Sequence, residues 1–118
     1  GCAMKNDTTN QAEKLASKIS KIRIYQDENH KMNHSLVDIN GSALVISQFT
    51  LAADLKRGNR PGFSEAAEPE IAKNLYNQFV SCLKQHGIST QTGTFGSEME
   101  VNLINDGPVT ICLDTDQF

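Results

Sequence analysis

The sequence has no tryptophan, and tyrosine and phenylalanine together contribute only seven residues. It has three cysteines, Cys2, Cys82 and Cys112, and no two of them have CxxC spacing. An odd number of cysteines without metal-binding spacing favours reduced thiols in a cytosolic protein over a disulfide framework. We expect two of the three to be small core residues.

Long apolar runs are also absent. The longest unbroken run covers 43–46, far short of the roughly 20 residues that a membrane-spanning helix needs. Residues 1–5 lack the apolar middle of a signal peptide, so they do not predict secretion. Eleven basic residues against 14 acidic ones give a net charge of −3. This balance excludes nucleic-acid binding through bulk positive charge but permits a local basic patch.

The 118 residues, of which 38% are hydrophobic, are enough for one domain, which we expect to span 1–118. Thr8 and Gln11 have the spacing of a capping box, and the apolar residues behind them recur at helical intervals, which predicts a surface helix. A second helix is predicted by Pro69 at its first position and Gly87 as its stop, with Glu68 as a weak N-cap.

The other apolar segments predict strands. The run at 43–51 is β-rich and nearly continuous, as in a central strand buried on both faces. Asn40 and Gly41, between two apolar runs, predict a hairpin turn. The further strands are expected around Ile24 and Tyr25 and at 36–39, 88–94, 99–104 and 109–113. The fold class is therefore predicted to be α+β, with two helices packed on a mostly antiparallel sheet.

A zinc site is the first candidate for side-chain chemistry. His30 and His34 are four residues apart beside Glu28, which suits two ligands on a helix. However, Asn29 and Asn33 disfavour a helix there, and no further ligands have diagnostic spacing. We expect an exposed hairpin loop, and no metal or cofactor.

Four residues are possible nucleophiles, but none lies in a GxSxG turn and the histidines are distant in sequence. They are Ser47, Thr50, Thr110 and Cys112. Any catalysis is therefore expected to use few ionisable side chains.

Three positive charges, Lys56, Arg57 and Arg60, fall within five residues on a loop predicted at 52–63. Composition alone favours a solvated loop. The alternative is a contact with the phosphate backbone of a nucleic acid, which positions the nucleic acid without reading its sequence.

Several motifs follow one another along the chain: SQFTL at 47–51, RPxFS at 60–64 and NxGPVT at 105–110, with KMN at 31–33 and TGxFG at 92–96 in support. Together they resemble the D-aminoacyl-tRNA deacylase family. The resemblance implies a cytoplasmic enzyme that hydrolyses the ester between a D-amino acid and the 3′-terminal ribose of tRNA. It also implies a homodimer with the active site at the interface.

The resemblance implies roles for the residues of the first motif. Backbone N–H groups of Ser47, Gln48, Phe49 and Thr50 would lie near the scissile carbonyl, where preorganised donors stabilise an oxyanion. The ribose 2′-hydroxyl would assist the chemistry, so that no protein nucleophile is required.

The last motif would select the substrate's chirality. The family's cis peptide at Gly107 and Pro108, with the adjacent Asn105, Val109 and Thr110, would reach into the partner subunit's pocket. Its carbonyls would hold the α-amino group and leave no room for an L side chain. The basic loop with Lys56, Arg57 and Arg60 would contact the acceptor stem.

This chain departs from the family pattern at three positions: Gly62 replaces a usual Ser, Glu68 a usual small capping residue and His30 a turn Gly. Family members begin with a β-hairpin and a further strand ahead of the position of Gly1. The resemblance therefore implies a β-barrel whose N-terminal strands are missing here. Two alternatives stay open: a non-catalytic nucleic-acid- or protein-binding module on this scaffold, and a side-chain hydrolase using Thr50, Thr110 or Cys112.

Overall fold

The computed structural model describes all 118 residues, in which two helices pack against each other and four strands form two small sheets. This arrangement confirms the α+β class. The elements are α1 (Thr9–Lys21), β1 (Arg23–Gln26), β2 (Met32–Ser35), β3 (Ser42–Val45), a 3₁₀ turn (Phe49–Ala52), α2 (Pro69–Gln85), β4 (Ser89–Thr92) and a second 3₁₀ turn (Thr115–Gln117).

Helix α1 begins at the predicted capping box. The Thr8 side chain accepts a hydrogen bond from the N–H of Asn10, and the Gln11 side chain accepts one of 2.7 Å from the N–H of Thr8. These contacts satisfy donors that the first helical turn leaves unpaired. The face that carries Ala12 and Ala16 is buried, as the apolar spacing predicts.

Helix α2 begins with Pro69 and ends as predicted. Glu68 makes no capping hydrogen bond with its side chain. At the other end Gly87 has a φ of +82°, and the N–H of Ile88 donates to the carbonyl of Leu83 over 3.2 Å. This is the Schellman arrangement, which favours glycine because only glycine adopts a positive φ without a penalty from Cβ.

The strands form two separate pairs and no closed barrel. Strands β1 and β2 are antiparallel, and β3 and β4 are parallel, so the expectation of a mostly antiparallel barrel is wrong. The predicted hairpin at Asn40 and Gly41 is also wrong. Asn40 adopts a φ of +53°, and the N–H of Gly41 turns back to the carbonyl of Leu36 instead of starting a ladder to β2. The hairpin is the one between β1 and β2, and its exposed loop carries His30, as expected.

Several predicted strands are shorter or absent because a strand requires a backbone partner, and the one expected at 36–39 is a turn. Strand β3 ends at Val45 rather than continuing to Leu51, and one of its faces is open, since Leu44 is 58% exposed. Segments 99–104 and 109–113 form no strand. No backbone–backbone hydrogen bond involves 99–113.

The hydrophobic core lies between the helices and the inner faces of both sheets. Its buried residues are Ala16, Leu36, Val45, Val80, Cys82, Leu83 and Ile88. Cys82 is the one cysteine in the core; Cys2 is half-buried and Cys112 is exposed because its segment forms no strand, so the expectation of two core cysteines is wrong. None of the helices has both the length and the apolar character needed to span a membrane.

Candidate functional site

The SQFT segment lies directly after the buried end of β3. Ser47 is half-buried, whereas Gln48, Phe49 and Thr50 are exposed. The chain leaves β3 at Val45 and enters the 3₁₀ turn at Phe49. The last three residues of the segment lie at the surface of the molecule.

The backbone N–H groups of this segment differ in what they bind. The N–H of Gln48 donates to the carbonyl of Gly1 over 2.7 Å, and the Gly1 ammonium donates to the carbonyl of Ile46 over 2.7 Å. The N–H groups of Phe49 and Thr50 have no acceptor within the chain. The first N–H groups of a helical turn are unpaired by geometry. Two adjacent exposed donors of this kind can stabilise a developing oxyanion.

The side chains of the segment bind each other rather than an acid or a base. The Gln48 amide donates to the hydroxyl of Thr50. The Phe49 ring packs edge-on against Phe63, with the ring centroids 4.9 Å apart. No histidine or carboxylate forms a hydrogen bond with Thr50, so nothing in the chain activates its hydroxyl as a nucleophile.

The same holds for the other candidate nucleophiles. The Thr110 hydroxyl accepts a hydrogen bond of 2.9 Å from the Asn105 amide, and Cys112 is exposed without a base beside it. The Cys2 thiol lies 3.8 Å from the carbonyl oxygen of Phe49, and burial, the largest influence on it, raises its pKa and keeps the thiol protonated. A side-chain hydrolase therefore lacks the nucleophile–base pair that it needs.

Asn105 fixes the conformation of the loop that ends in Thr110. Its side-chain oxygen accepts a hydrogen bond of 3.0 Å from the N–H of Val109, and its amide group donates to Thr110. The Gly107–Pro108 peptide between these contacts is cis, as the family resemblance implies. Neither the Gly107 carbonyl nor the Pro108 carbonyl accepts a hydrogen bond from the chain.

Gly107 is the position in this loop that requires glycine. Its φ is +136°, and a Cβ there would lie 2.9 Å from Val109 Cγ2 and 3.1 Å from the Val109 nitrogen. Backbone conformation and space therefore both exclude a side chain.

The two motifs are not joined within one chain. No hydrogen bond connects 47–50 with 105–110. The segment 99–113, called the arm below, exposes several large apolar side chains, including Leu103 at 72% and Ile104 at 93%. The sequence-predicted site residues thus form two groups that share no hydrogen bond within the monomer.

The basic loop is closed at its base. Asp54 and Gly62 exchange two backbone hydrogen bonds, of 2.8 and 2.9 Å. Between them Lys56, Arg57 and Arg60 are exposed, and their charged ends bind no group of the chain. They are available for an anionic ligand. No group of three or more His, Cys, Asp or Glu side chains is placed to hold a metal ion.

Sequence reasoning missed Tyr76, whose hydroxyl donates to the carbonyl of Val45 over 3.0 Å. Helical spacing in the sequence places Ile71, Leu75, Phe79 and Leu83 on the apolar face of α2 and leaves Tyr76 out. Tyr76 follows Leu75 directly, and the polar tip of a half-buried tyrosine usually finds a partner. That rule is the signal that could have identified it.

Comparison with protein families and relatives gives a consistent result. A family model described as D-Tyr-tRNA(Tyr) deacylase matches residues 2–114. A D-aminoacyl-tRNA deacylase of Jannaschia sp. (strain CCS1) is 60% identical over 114 residues, which cover 97% of this chain and 78% of the relative. A D-aminoacyl-tRNA deacylase of Thermosipho africanus (strain TCF52B) is 51% identical over 111 residues, which cover 94% of this chain and 74% of the relative.

Two solved structures have similar folds. One, named c-Myc DNA Unwinding Element Binding Protein, has a TM-score of 0.87 and 35% identity, covering 97% of this chain and 78% of its own. The other, described as a probable eukaryotic D-amino acid tRNA deacylase, has a TM-score of 0.66 and 14% identity. The match covers 83% of this chain and 72% of that structure's chain. At that identity the second likeness concerns the fold alone.

Proposed function

This chain belongs to the D-Tyr-tRNA(Tyr) deacylase family, and we propose that it hydrolyses the ester bond of D-aminoacyl-tRNA, releasing the D-amino acid and free tRNA. The reaction is a chiral proofreading step, because L-aminoacyl-tRNA is rejected. Aminoacyl-tRNA is used by translating ribosomes, so the reaction takes place in the cytoplasm.

The observation that carries the mechanism is the pair of free N–H groups at Phe49 and Thr50. They bind the carbonyl oxygen of the ester and stabilise its negative charge in the transition state. Ser47 and Gln48 lead the chain into this position, and the Gln48 N–H is already used by Gly1. Four residues that the resemblance treats alike therefore have different roles here.

The hydrolysis needs no side-chain nucleophile. Thr50 and Thr110 both have hydroxyls engaged with amide groups, and neither has a base beside it. The 2′-hydroxyl of the terminal ribose is adjacent to the ester and assists the attack of water. The protein then contributes positioning and oxyanion stabilisation.

Chirality is selected by the loop held by Asn105. The free carbonyls of Gly107 and Pro108 accept hydrogen bonds from the substrate's α-amino group. With the amino group and the ester both held, an L side chain would point into the loop near Val109, whereas a D side chain would point away. Exclusion of this kind gives specificity by a steric clash.

The active form is a homodimer in which this loop reaches the oxyanion donors of the partner subunit. Support comes from the lack of any hydrogen bond between the two motifs within one chain and from the exposed apolar side chains of the arm. Apolar patches that are exposed on a monomer commonly mark protein interfaces.

Lys56, Arg57 and Arg60 hold the RNA. Their loop is exposed, it follows the SQFT segment, and its charges are unpaired on a molecule whose net charge is −3. Cations placed in this way contact phosphates and position the acceptor stem without reading its sequence.

The function is tested with D-Tyr-tRNA and L-Tyr-tRNA as parallel substrates. We expect release of D-tyrosine with the tRNA left intact, and no release of L-tyrosine above the rate of spontaneous hydrolysis. An acid gel that shows full-length tRNA without its amino acid identifies ester cleavage as the reaction. Cleavage of the RNA chain itself would exclude the proposed function.

A second candidate function is nucleic-acid binding without catalysis. It is favoured by the 35% identical structure whose name describes a DNA-binding protein and by the exposed basic loop. It predicts salt-dependent affinity for tRNA without any ester hydrolysis. Binding by filter retention at several salt concentrations, performed beside the deacylation assay, separates the two functions.

A further inference from the structure

Tyr76 contacts the chain at the ends of both strands of the parallel pair. Its hydroxyl donates to the carbonyl of Val45, the last residue of β3. Its ring lies 5.6 Å from that of Phe95, which follows β4 by three residues. Because parallel strands end at the same edge of a sheet, one side chain of α2 reaches both ends.

The hydrogen bond from Tyr76 to Val45 lies a few residues before the free backbone N–H groups along the chain. Phe49 and Thr50 follow Val45 by four and five residues. Gly1 binds the same stretch of chain at the carbonyl of Ile46 and the N–H of Gln48. The segment that leads to the donors is therefore held by two independent contacts, of which Tyr76 supplies the one from the helix layer.

The alternative role of the Tyr76 hydroxyl is to stabilise the fold and nothing more. Tyr76 is half-buried and packs against the hydrophobic core, and Val45 is only 7% exposed, so its carbonyl needs a donor. In that case removal of the hydroxyl would lower stability and leave the turnover of each folded molecule unchanged. The two roles thus differ in a measurable way.

We propose that Tyr76 is a positioning residue for deacylation: its hydroxyl fixes the end of β3 so that the N–H groups of Phe49 and Thr50 are aimed at one oxyanion. This inference rests on the function proposed above. The donors are used mainly in the transition state, whereas RNA binding depends on the basic loop. Loss of the hydroxyl should therefore lower kcat and leave KM unchanged.

The test compares Tyr76→Phe with Tyr25→Phe in the full chain. Tyr25 is a matched control because it is also half-buried against the same core cluster, and its hydroxyl forms no hydrogen bond in the chain. We expect Tyr76→Phe to lower kcat for D-Tyr-tRNA about tenfold, since small displacements of catalytic groups are costly. Tyr25→Phe should leave kcat and KM at their wild-type values.

A second readout does not depend on activity. The amide hydrogens of Gln48 and Leu51 are bonded to the carbonyls of Gly1 and Gln48. Their exchange with solvent, measured by NMR without RNA, should accelerate in Tyr76→Phe and stay unchanged in Tyr25→Phe. Thermal unfolding curves establish that both variants are folded at the assay temperature.

Equal kcat values for the two variants, with equal amide exchange, would overturn the positioning role. Failure of the proposed function has a different outcome. The wild-type protein would then release no D-tyrosine, which removes any catalytic role for Tyr76, while faster exchange in Tyr76→Phe would still demonstrate the link between α2 and this segment.

Discussion

The residues of the candidate site are proposed to act through backbone atoms and through loop geometry. Phe49 and Thr50 offer N–H groups, Gly107 and Pro108 offer carbonyls, and Asn105 uses its side chain to bind its own loop. Since substitution of a side chain leaves the backbone in place, variants at these positions separate backbone chemistry from side-chain chemistry.

Thr50→Ala should retain activity within about threefold of wild type, because a backbone donor survives the loss of the hydroxyl; loss of an essential nucleophile would instead cost at least about 10³-fold. The measurement is the single-turnover rate with D-Tyr-tRNA. An inactive but folded Thr50→Ala protein would revive the side-chain hydrolase, and an ester-directed probe would then label the wild-type residue.

Gly107→Ala should impair both rate and selectivity. The added Cβ would meet Val109 at 2.9 Å with a φ of +136°, so the loop must shift. A shift of this order is expected to lower the rate with D-Tyr-tRNA about 10²-fold and to reduce the ratio of D to L hydrolysis.

Gly62→Ala is the matched control for that variant. The nearest atom to its added Cβ is the Asp54 carbonyl oxygen at 3.8 Å, an ordinary contact. It should keep both the rate and the D-to-L ratio. If Gly107→Ala behaves like Gly62→Ala, the loop does not select chirality.

The helices are the elements that sequence reasoning predicts best, because their ends are set by neighbouring residues. Thr8 and Gln11 are three residues apart, and α2 is closed after Gly87 by the hydrogen bond from the N–H of Ile88 to the carbonyl of Leu83, five residues away. Strand pairing depends on partners that are distant in the chain. Strand β3 pairs with β4, more than 40 residues later, so the local signal at Asn40 and Gly41 predicted the wrong connection.

The same limit applies to the candidate site. The motifs predict its residues, but the difference between the bound N–H of Gln48 and the free N–H groups of Phe49 and Thr50 arises from Gly1, 47 positions before Gln48. Spacing within a motif contains no information on such a contact.

Thr8→Ala should destabilise the protein by about 1 kcal/mol through loss of the α1 cap. Thr9→Ala, one residue further on and also exposed, should change the free energy of unfolding by less than about 0.5 kcal/mol. Urea denaturation followed by circular dichroism measures both. Equal midpoints for the two variants would show that the capping box contributes nothing measurable.

At the scale of the whole molecule, two surfaces are unusual. The basic loop has unpaired positive charges although the net charge is −3, and the arm exposes large apolar side chains. We expect the arm to form the dimer interface. Ile104→Asp places a charge at its most exposed apolar side chain, and should convert a dimer to a monomer and abolish deacylation.

Ile71→Asp makes the same substitution at an isoleucine of α2 that is 51% exposed and lies outside the arm. Sedimentation velocity should show a dimer for this control and for the wild type. A monomeric wild-type protein that is active would contradict the proposed interface site.

The central claim is that this chain cleaves D-aminoacyl esters of tRNA and rejects their L counterparts. The most direct measurement is the ratio of initial rates for D-Tyr-tRNA and L-Tyr-tRNA with wild-type protein in one buffer. We predict rapid release of D-tyrosine and release of L-tyrosine at the spontaneous rate only. Equal rates for the two substrates, or no release from either, would contradict the account.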